Sequence, residues 1–271
     1  MSILNKISAF KSTPRMPLLF LGHGSPMNAI EENEFVRGFR EVAASVPLPA
    51  AILCISAHWE TRGTHVTINE HPRTIHDFGG FPPELYQVKY PAPGSQPLAG
   101  EIANIVKSED IVPDQSWGLD HGAWSVIKHM YPDADVPVVQ LSLNYLAKPD
   151  KHYSLAEELK ELRDHGILII GSGNIVHNLS LVDWRRLNDT YAFDWATEVN
   201  SKIKQLLANG DHRELMSLPE KGGAYNLAIP TPEHYLPLLY IAALQRNGEN
   251  VTFFNDKPLA GSLTMTSVKI G

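Results

Sequence analysis

Gly166-Ile167-Leu168-Ile169-Ile170-Gly171-Ser172-Gly173-Asn174-Ile175-Val176-His177-Asn178 carries the pattern that decides how this chain folds. Four consecutive aliphatic residues bounded by glycines read as a strand buried on both faces, because a strand with one wet face would alternate. The strand runs out into a Gly/Ser/Asn turn and then presents a histidine. Two earlier stretches do the same. Met16-Pro17-Leu18-Leu19-Phe20-Leu21 leads into Gly22-His23-Gly24-Ser25-Pro26, and Ala50 to Ser56 leads into Ala57-His58-Trp59. If the three strands are parallel, the three imidazoles gather along one edge of a sheet. Glycines beside His23 and ahead of His177 suit tight turns that bring backbone close to a ligand.

Outward from these strands, buried runs alternate with helical periodicity. Ile30 to Ser45 predicts an amphipathic helix, with Phe35, Val36, Phe39 and Val42 spaced three and four apart. Further helices are predicted near 96–107, 121–131, 154–165, 191–208 and 232–246, and further strands over 65–69, 136–143, 251–255 and 262–270. The expectation is a single α/β domain with a mainly parallel or mixed central sheet, covered by helices on both faces. Its site would lie at the carboxyl ends of the strands. Residues 1–15 read as an N-terminal extension and 16–271 as one catalytic domain, since no repeat, low-complexity tract or linker divides them. Glu70 to Ser95 is rich in proline, glycine and aromatics, including Phe78-Gly79-Gly80-Phe81-Pro82-Pro83. A loop that long inside a compact domain is usually functional, and its aromatics predict an ordered wall over a site.

Composition narrows the class. The chain is 271 residues long, 43% hydrophobic and 20% charged, which suits an ordinary globular protein. A formal net charge of -7 leaves no excess of cations to neutralise phosphates, so a nucleic-acid partner is not expected. The single cysteine, Cys54, excludes an intramolecular disulfide and reads as a small buried hydrophobe. The first fifteen residues lack an apolar signal core, and no apolar run approaches the ~18 residues that span a bilayer. The expectation is a cytoplasmic protein, monomeric or a small homo-oligomer, acting on a small molecule.

Of twelve histidines, a subset sits at element ends. Besides His23, His58 and His177, the stretch Pro230-Thr231-Pro232-Glu233-His234-Tyr235 predicts a helix start, with Thr231 as N-cap and Pro232 as first helical residue. Each histidine alone has a plainer reading as a turn, cap or exposed first-turn residue. Together they describe imidazoles converging on one point, which suits Zn, Fe or Cu better than Mg or Ca. His121 follows a predicted N-cap, Asp120, and His76-Asp77 lies in the aromatic loop. His65, His71, His129, His152, His165 and His212 do not share this placement and read as solvent-facing or structural. There is no His-Glu-x-x-His and no Walker loop. Gly22-His23-Gly24-Ser25 is no nucleophile elbow, because Pro26 cannot donate the N–H an oxyanion hole would need there.

These stretches, with Ile75-His76-Asp77-Phe78-Gly79-Gly80-Phe81-Pro82, Tyr90-Pro91-Ala92-Pro93-Gly94 and Trp117-Gly118-Leu119-Asp120-His121-Gly122, run in an order that resembles the class III (LigB-type) extradiol ring-cleaving dioxygenases. The closer resemblance is to the 4,5-DOPA extradiol dioxygenase branch, over nearly the whole chain from Pro17. It implies His23 and His58 as metal ligands, with His234 as the third and Glu233 as its less favoured substitute. It implies His177 as acid/base or fourth ligand, His121 as a second catalytic histidine, and His76, Phe78 and Tyr235 as substrate-binding. The implied cofactor is one divalent metal, Fe(II) for turnover or Zn(II) as found bound. The implied reaction inserts O2 into a catechol such as L-DOPA by 4,5-cleavage to a seco-DOPA semialdehyde. A zinc-dependent hydrolase and a non-enzymatic binding protein of the same fold are the alternatives.

Overall fold

The computed structural model describes residues 7, 9–187 and 189–271. Eight strands form one mixed sheet in the order β4-β3-β5-β2-β6-β1-β10-β7. They are β1 (Leu18–Gly22), β2 (Ala51–Thr61), β3 (Thr64–Thr67), β4 (Ile111–Asp114), β5 (Val138–Asn144), β6 (Ile167–Gly173), β7 (Val251–Phe254) and β10 (Ser267–Ile270). A separate two-residue hairpin pairs β8 (Pro258–Leu259) with β9 (Leu263–Thr264). The inner four strands, β5, β2, β6 and β1, are mutually parallel. Antiparallel β10 and β7 close one side, and β3 pairs antiparallel with β5 on the other.

Both faces of this sheet are buried, as the unbroken aliphatic runs predict. Leu18, Phe20, Leu53, Ile55, Ile167 and Ile169 point into one core layer. Their neighbours Leu19, Leu21, Ile52, Cys54, Leu168 and Ile170 point into the other. The two-residue period of a strand sends successive side chains to opposite faces. The first layer is completed by α2 (Gln96–Ile105), α4 (Pro149–Glu158), α5 (Asp194–Asn209), the short α6 (His212–Ser217) and α7 (Ala224–Ala228), and α8 (Leu236–Ala243). The second is completed by α1 (Glu34–Ala44), α3 (His121–Met130) and the long loop. Every residue of α8 is buried, as expected of a helix lying between β6 and α4. Cys54 is a buried free thiol whose pKa burial raises well above the usual value, the small hydrophobe expected.

Several elements differ from expectation at their ends. The helix expected over 154–165 begins at Pro149 and tightens into a 3-10 helix over Leu159–His165. The helix expected from Pro232 begins only at Leu236, so Thr231 is not its cap. Pro237 explains this. A helix starting at Pro232 would place Pro237 where an i→i−4 N–H is required, and proline has none; in the first turn it is tolerated. Of the expected extension, residues 9–15 lie along the body, with Ala9 N–H bonded to Glu101 and Thr13 N–H to the Asp164 carbonyl. Residues 1–6 and 8 lie outside the described residues. Among the described residues no helix is long and apolar enough to cross a membrane.

The loop over 70–95 is ordered, and its backbone explains why. Ile75 N–H reaches the Leu119 carbonyl at 2.7 Å and Leu119 N–H returns to Arg73 at 2.8 Å. Trp124 Nε1 donates to the Ile75 carbonyl at 2.8 Å, and the Tyr90 hydroxyl to Tyr131 at 2.8 Å. The wall is therefore laced to the segment that carries His121.

Candidate metal centre

Strand register brings the histidines together. Gly22 pairs with Gly173 and Ser56 with Ser172, so the carboxyl ends of β1, β2 and β6 are level. His23 is the first residue past β1. His58 lies within β2 itself, which continues past the expected end through an irregularity between Ile55 and Glu60. His121 is the first residue of α3, with the expected Asp120 cap accepting from Ala123 N–H at 3.1 Å. His177 follows β6, and His234 sits in the turn before α8. Gly24, at φ +61°, turns the chain back after His23 in a conformation that glycine adopts without strain.

The rings of His23, His58 and His234 form a nearly equilateral triangle, with centroids 4.9, 5.3 and 5.1 Å apart. His121 adjoins it, 3.9 Å from His58, and His177 stacks on His234 at 3.6 Å with only 8° between the planes. Donor atoms within 4.8 Å of one another fall into two groups, His23/His58/His121 and His177/Glu233/His234. Between them they contain every metal-ligating residue expected.

Hydrogen bonds fix which nitrogen of each ring is free. Ser172 Oγ gives its hydrogen to the Gly122 carbonyl at 2.5 Å, so at 3.1 Å from His23 Nδ1 it can only accept. His23 therefore carries its proton on Nδ1. His58 Nδ1 lies 3.4 Å from Asp77 Oδ2, and His234 Nδ1 lies 3.1 Å from Glu233 Oε1. An ionised carboxylate only accepts, so His234 is an Nδ1–H tautomer as well, while Asp77 stands near His58 Nδ1 without closing a hydrogen bond to it. His23 and His234 are left with a bare Nε2, and the Nε2 atoms of His23 and His58 lie 3.0 Å apart, within hydrogen-bond distance. A hydrogen on His58 Nε2 can bridge that pair, and a cation between the two nitrogens would take the hydrogen's place. Orienting a histidine through Nδ1–H so that Nε2 faces inward is how proteins prepare metal ligands. The donor set thus fits a divalent transition metal.

The electrostatics agree. Burial, followed by the neighbouring imidazoles, holds His23 and His58 far below the usual histidine pKa, and lowers His177 to about 3. The rings are neutral, as ligation requires. Burial alone would raise Glu233, but hydrogen bonds from His234 and Thr231 outweigh it and hold the carboxyl at about 2. Behind the cluster, fully buried Asp120 accepts from Ser56 Oγ at 2.6 Å and Gln140 Nε2 at 2.7 Å.

One expected substrate contact is placed otherwise. Tyr235 is fully buried in the helical core layer, its hydroxyl bonded to the Leu215 carbonyl at 3.1 Å. It follows His234 in sequence, but the chain turns its ring to the core. His76 donates Nε2–H to the Val88 carbonyl at 3.0 Å and stands edge-on to Phe78 in the aromatic wall. Phe78 does stand beside the cluster, 5.5 Å from His121 and edge-on to it. Sequence reasoning gave no role to Asp77 or Ser172, though both lie inside the motifs that drew attention to His76 and Gly173. Their importance rests on what they touch across the sheet edge.

Comparison with known proteins agrees with this geometry. Residues 14–254 match the family described as the catalytic LigB subunit of aromatic ring-opening dioxygenase. The 4,5-DOPA dioxygenase extradiol of Escherichia coli K12 is 46% identical over 96% of each chain. That of Beta vulgaris is 40% identical over 85% of this chain and 87% of its own. The solved structure of an uncharacterized Escherichia coli K12 protein superposes with a TM-score of 0.82, at 40% identity, covering 95% of this chain and 100% of that one. These likenesses select the dioxygenase expectation over the hydrolase and binding-protein alternatives. The chain belongs to the LigB family of extradiol ring-opening dioxygenases and is an oxygen-incorporating enzyme.

Proposed function

We propose that this enzyme opens the ring of a catechol acid such as L-DOPA, by 4,5-cleavage to a seco-DOPA semialdehyde, at one divalent metal held by His23, His58 and His234. The observation that carries this reading is the triangle of the His23, His58 and His234 rings, with the Nε2 atoms of His23 and His58 lying 3.0 Å apart and the Nδ1 atoms beside Ser172, Asp77 and Glu233. A metal bound there, Fe(II) for turnover or Zn(II) as found bound, would hold catechol and O2 side by side and let charge pass between them.

Glu233 in this reading orients His234 and does not replace it, since its Oε1 is committed to His234 Nδ1 and to Thr231 Oγ1 at 2.8 Å. His177 serves as acid/base. Its ring is stacked nearly parallel on His234, and in-plane lone pairs of two parallel rings cannot meet at one ion. A neutral His177 can take a hydroxyl proton from the catechol and return it to an oxygen that leaves later. His121, held by Asp77, is the second proton-handling group, and Phe78 packs the catechol ring against it.

Oxygen consumption tests this. Metal-free protein reloaded anaerobically with Fe(II) and given L-DOPA should consume one O2 per catechol and form a yellow product, whereas Zn(II) should support none. His23→Ala and His234→Ala should lose both metal and uptake. His177→Ala should keep the metal and lose turnover by about 100-fold or more, the usual worth of a general acid–base group. Absence of uptake with L-DOPA and every other catechol tried would sink the proposal.

A further inference from the structure

We propose that Asp77 is a shared positioning residue, one carboxylate that sets the Nδ1–H tautomer of both His58 and His121 so that each turns Nε2 to the reacting centre. The inference rests on the metal-site reading above and adds a residue to it.

The geometry is that of a bridge. Oδ1 of Asp77 accepts the backbone N–H of His121 at 2.8 Å, and Oδ2 accepts His121 Nδ1–H at 2.9 Å. The same Oδ2 lies 3.4 Å from His58 Nδ1. Among the described residues its only ion-pair partners are these two imidazoles. The bond to His121 requires hydrogen on its Nδ1 and so a lone pair on its Nε2, and the same oxygen is placed to take hydrogen from His58 Nδ1 once a metal occupies His58 Nε2. The two rings are 3.9 Å apart, so one carboxylate governs a pair of functional side chains from separate elements.

A merely structural role explains the carboxylate poorly. The first turn of α3 already has a cap in Asp120, which takes the Ala123 N–H. Asp77 brings a second negative charge close enough to raise Asp120, after burial, above the usual carboxylate range. A fold needing only a helix cap would gain nothing from that repulsion. The arrangement makes sense if the imidazoles need the carboxylate. It also ties the aromatic wall, in which Asp77 lies between His76 and Phe78, to the ligand edge of β2. Without Asp77, either ring is free to place hydrogen on Nε2. On His58 that hydrogen would occupy the position the metal takes; on His121 it would replace an acceptor facing the catechol with a donor.

The test is long-range 1H–15N spectroscopy of the histidine rings, with signals assigned through His58→Gln and His121→Gln, joined to Zn(II) titration. In wild-type protein His121 should be the Nδ1–H tautomer with or without zinc, and His58 should be Nδ1–H with zinc bound. Asp77→Ala should show mixed tautomers at His121, and zinc affinity lowered about 10- to 100-fold. Iron-supported kcat should fall by a similar factor, with the KM for catechol little changed. Asp77→Glu should recover part of the tautomer bias and part of the affinity. An Nε2–H tautomer at His121 in the wild type overturns the inference without any variant. Unchanged tautomers and zinc affinity in Asp77→Ala overturn it equally. If wild-type protein binds neither zinc nor iron, the metal-site reading fails instead, and the His121 tautomer can still be read.

Discussion

At the scale of single residues, the histidines were visible in the sequence and the groups that aim them were not. Each of His23, His58, His177 and His234 stands at or near an element end, and that regularity is written in the local sequence. Ser172 is different. Nothing near it in sequence shows that its hydroxyl will reach the Gly122 carbonyl, fifty positions away, and so be forced to accept from His23. Ser172→Ala removes that acceptor together with its bond to the buried Gly122 carbonyl. Loss of a buried hydrogen-bond partner costs roughly 1–3 kcal/mol, and loss of a group that orients a ligand weakens metal binding about 10- to 100-fold. Thermal unfolding with and without zinc separates the two effects, because only the second enlarges the gap between wild type and variant when metal is added. A gap unchanged by zinc would show that Ser172 is structural only.

At the scale of elements, the strand centres and the start of α3 were legible and the start of α8 was not. Aliphatic runs locate β1, β2 and β6 because burial on both faces leaves a continuous signal. The start of α8 is set by Pro237, and proximity to β6 then decides where His234 sits. A Cβ at Gly173 would overlap the His234 carbonyl oxygen, the acceptor for Asn174 N–H at 2.9 Å. Gly173 therefore permits the turn before α8 to lie directly on the end of β6. Gly122 plays the same part for α3, where a Cβ would lie 2.6 Å from Ser56 Oγ and 2.8 Å from His58 Cδ2. Gly173→Ala should displace His234 while leaving His23 and His58 in place. The expected outcome is destabilisation of about 1–3 kcal/mol, the usual cost of overpacking, with metal affinity reduced more than that of Gly173-independent variants in the outer layers. Zinc titration beside urea unfolding measures both, and wild-type affinity in a destabilised Gly173→Ala would refute the placement argument.

At the scale of the whole molecule, a mainly parallel sheet core is legible in the alternation of aliphatic runs and helices, whereas the strand order and the antiparallel direction of β10 and β7 are not. Nor did sequence reveal what ties the end opposite the metal centre together. Arg163 is completely buried, and its guanidinium bonds the Met16 carbonyl before β1, the Leu244 carbonyl after α8 and both oxygens of Glu249. One cation thus fastens the entry to the sheet, a core helix and the segment leading to β7. Burial would raise the Glu249 carboxyl, but the bonds from Arg163 and from the Arg246 N–H outweigh it and hold the pKa below the usual value. A depressed carboxylate contributes stability that is complete above its unfolded pKa, about 4.3 for glutamate, and is lost as pH falls through the lower folded value. Glu249→Gln should therefore cost roughly 3–5 kcal/mol at about pH 7, because it strands a buried guanidinium. Below about pH 4 the difference should shrink, since a protonated glutamate resembles glutamine. Asp164, which bonds Arg15 and Arg246 and is likewise depressed after burial is offset, shares both arginines with Glu249, so the comparison is made in an Asp164→Asn background. Urea unfolding of the pair from about pH 7 to about pH 3 gives the test: a gap that stays constant would mean that Glu249 acts through packing and not through its charge.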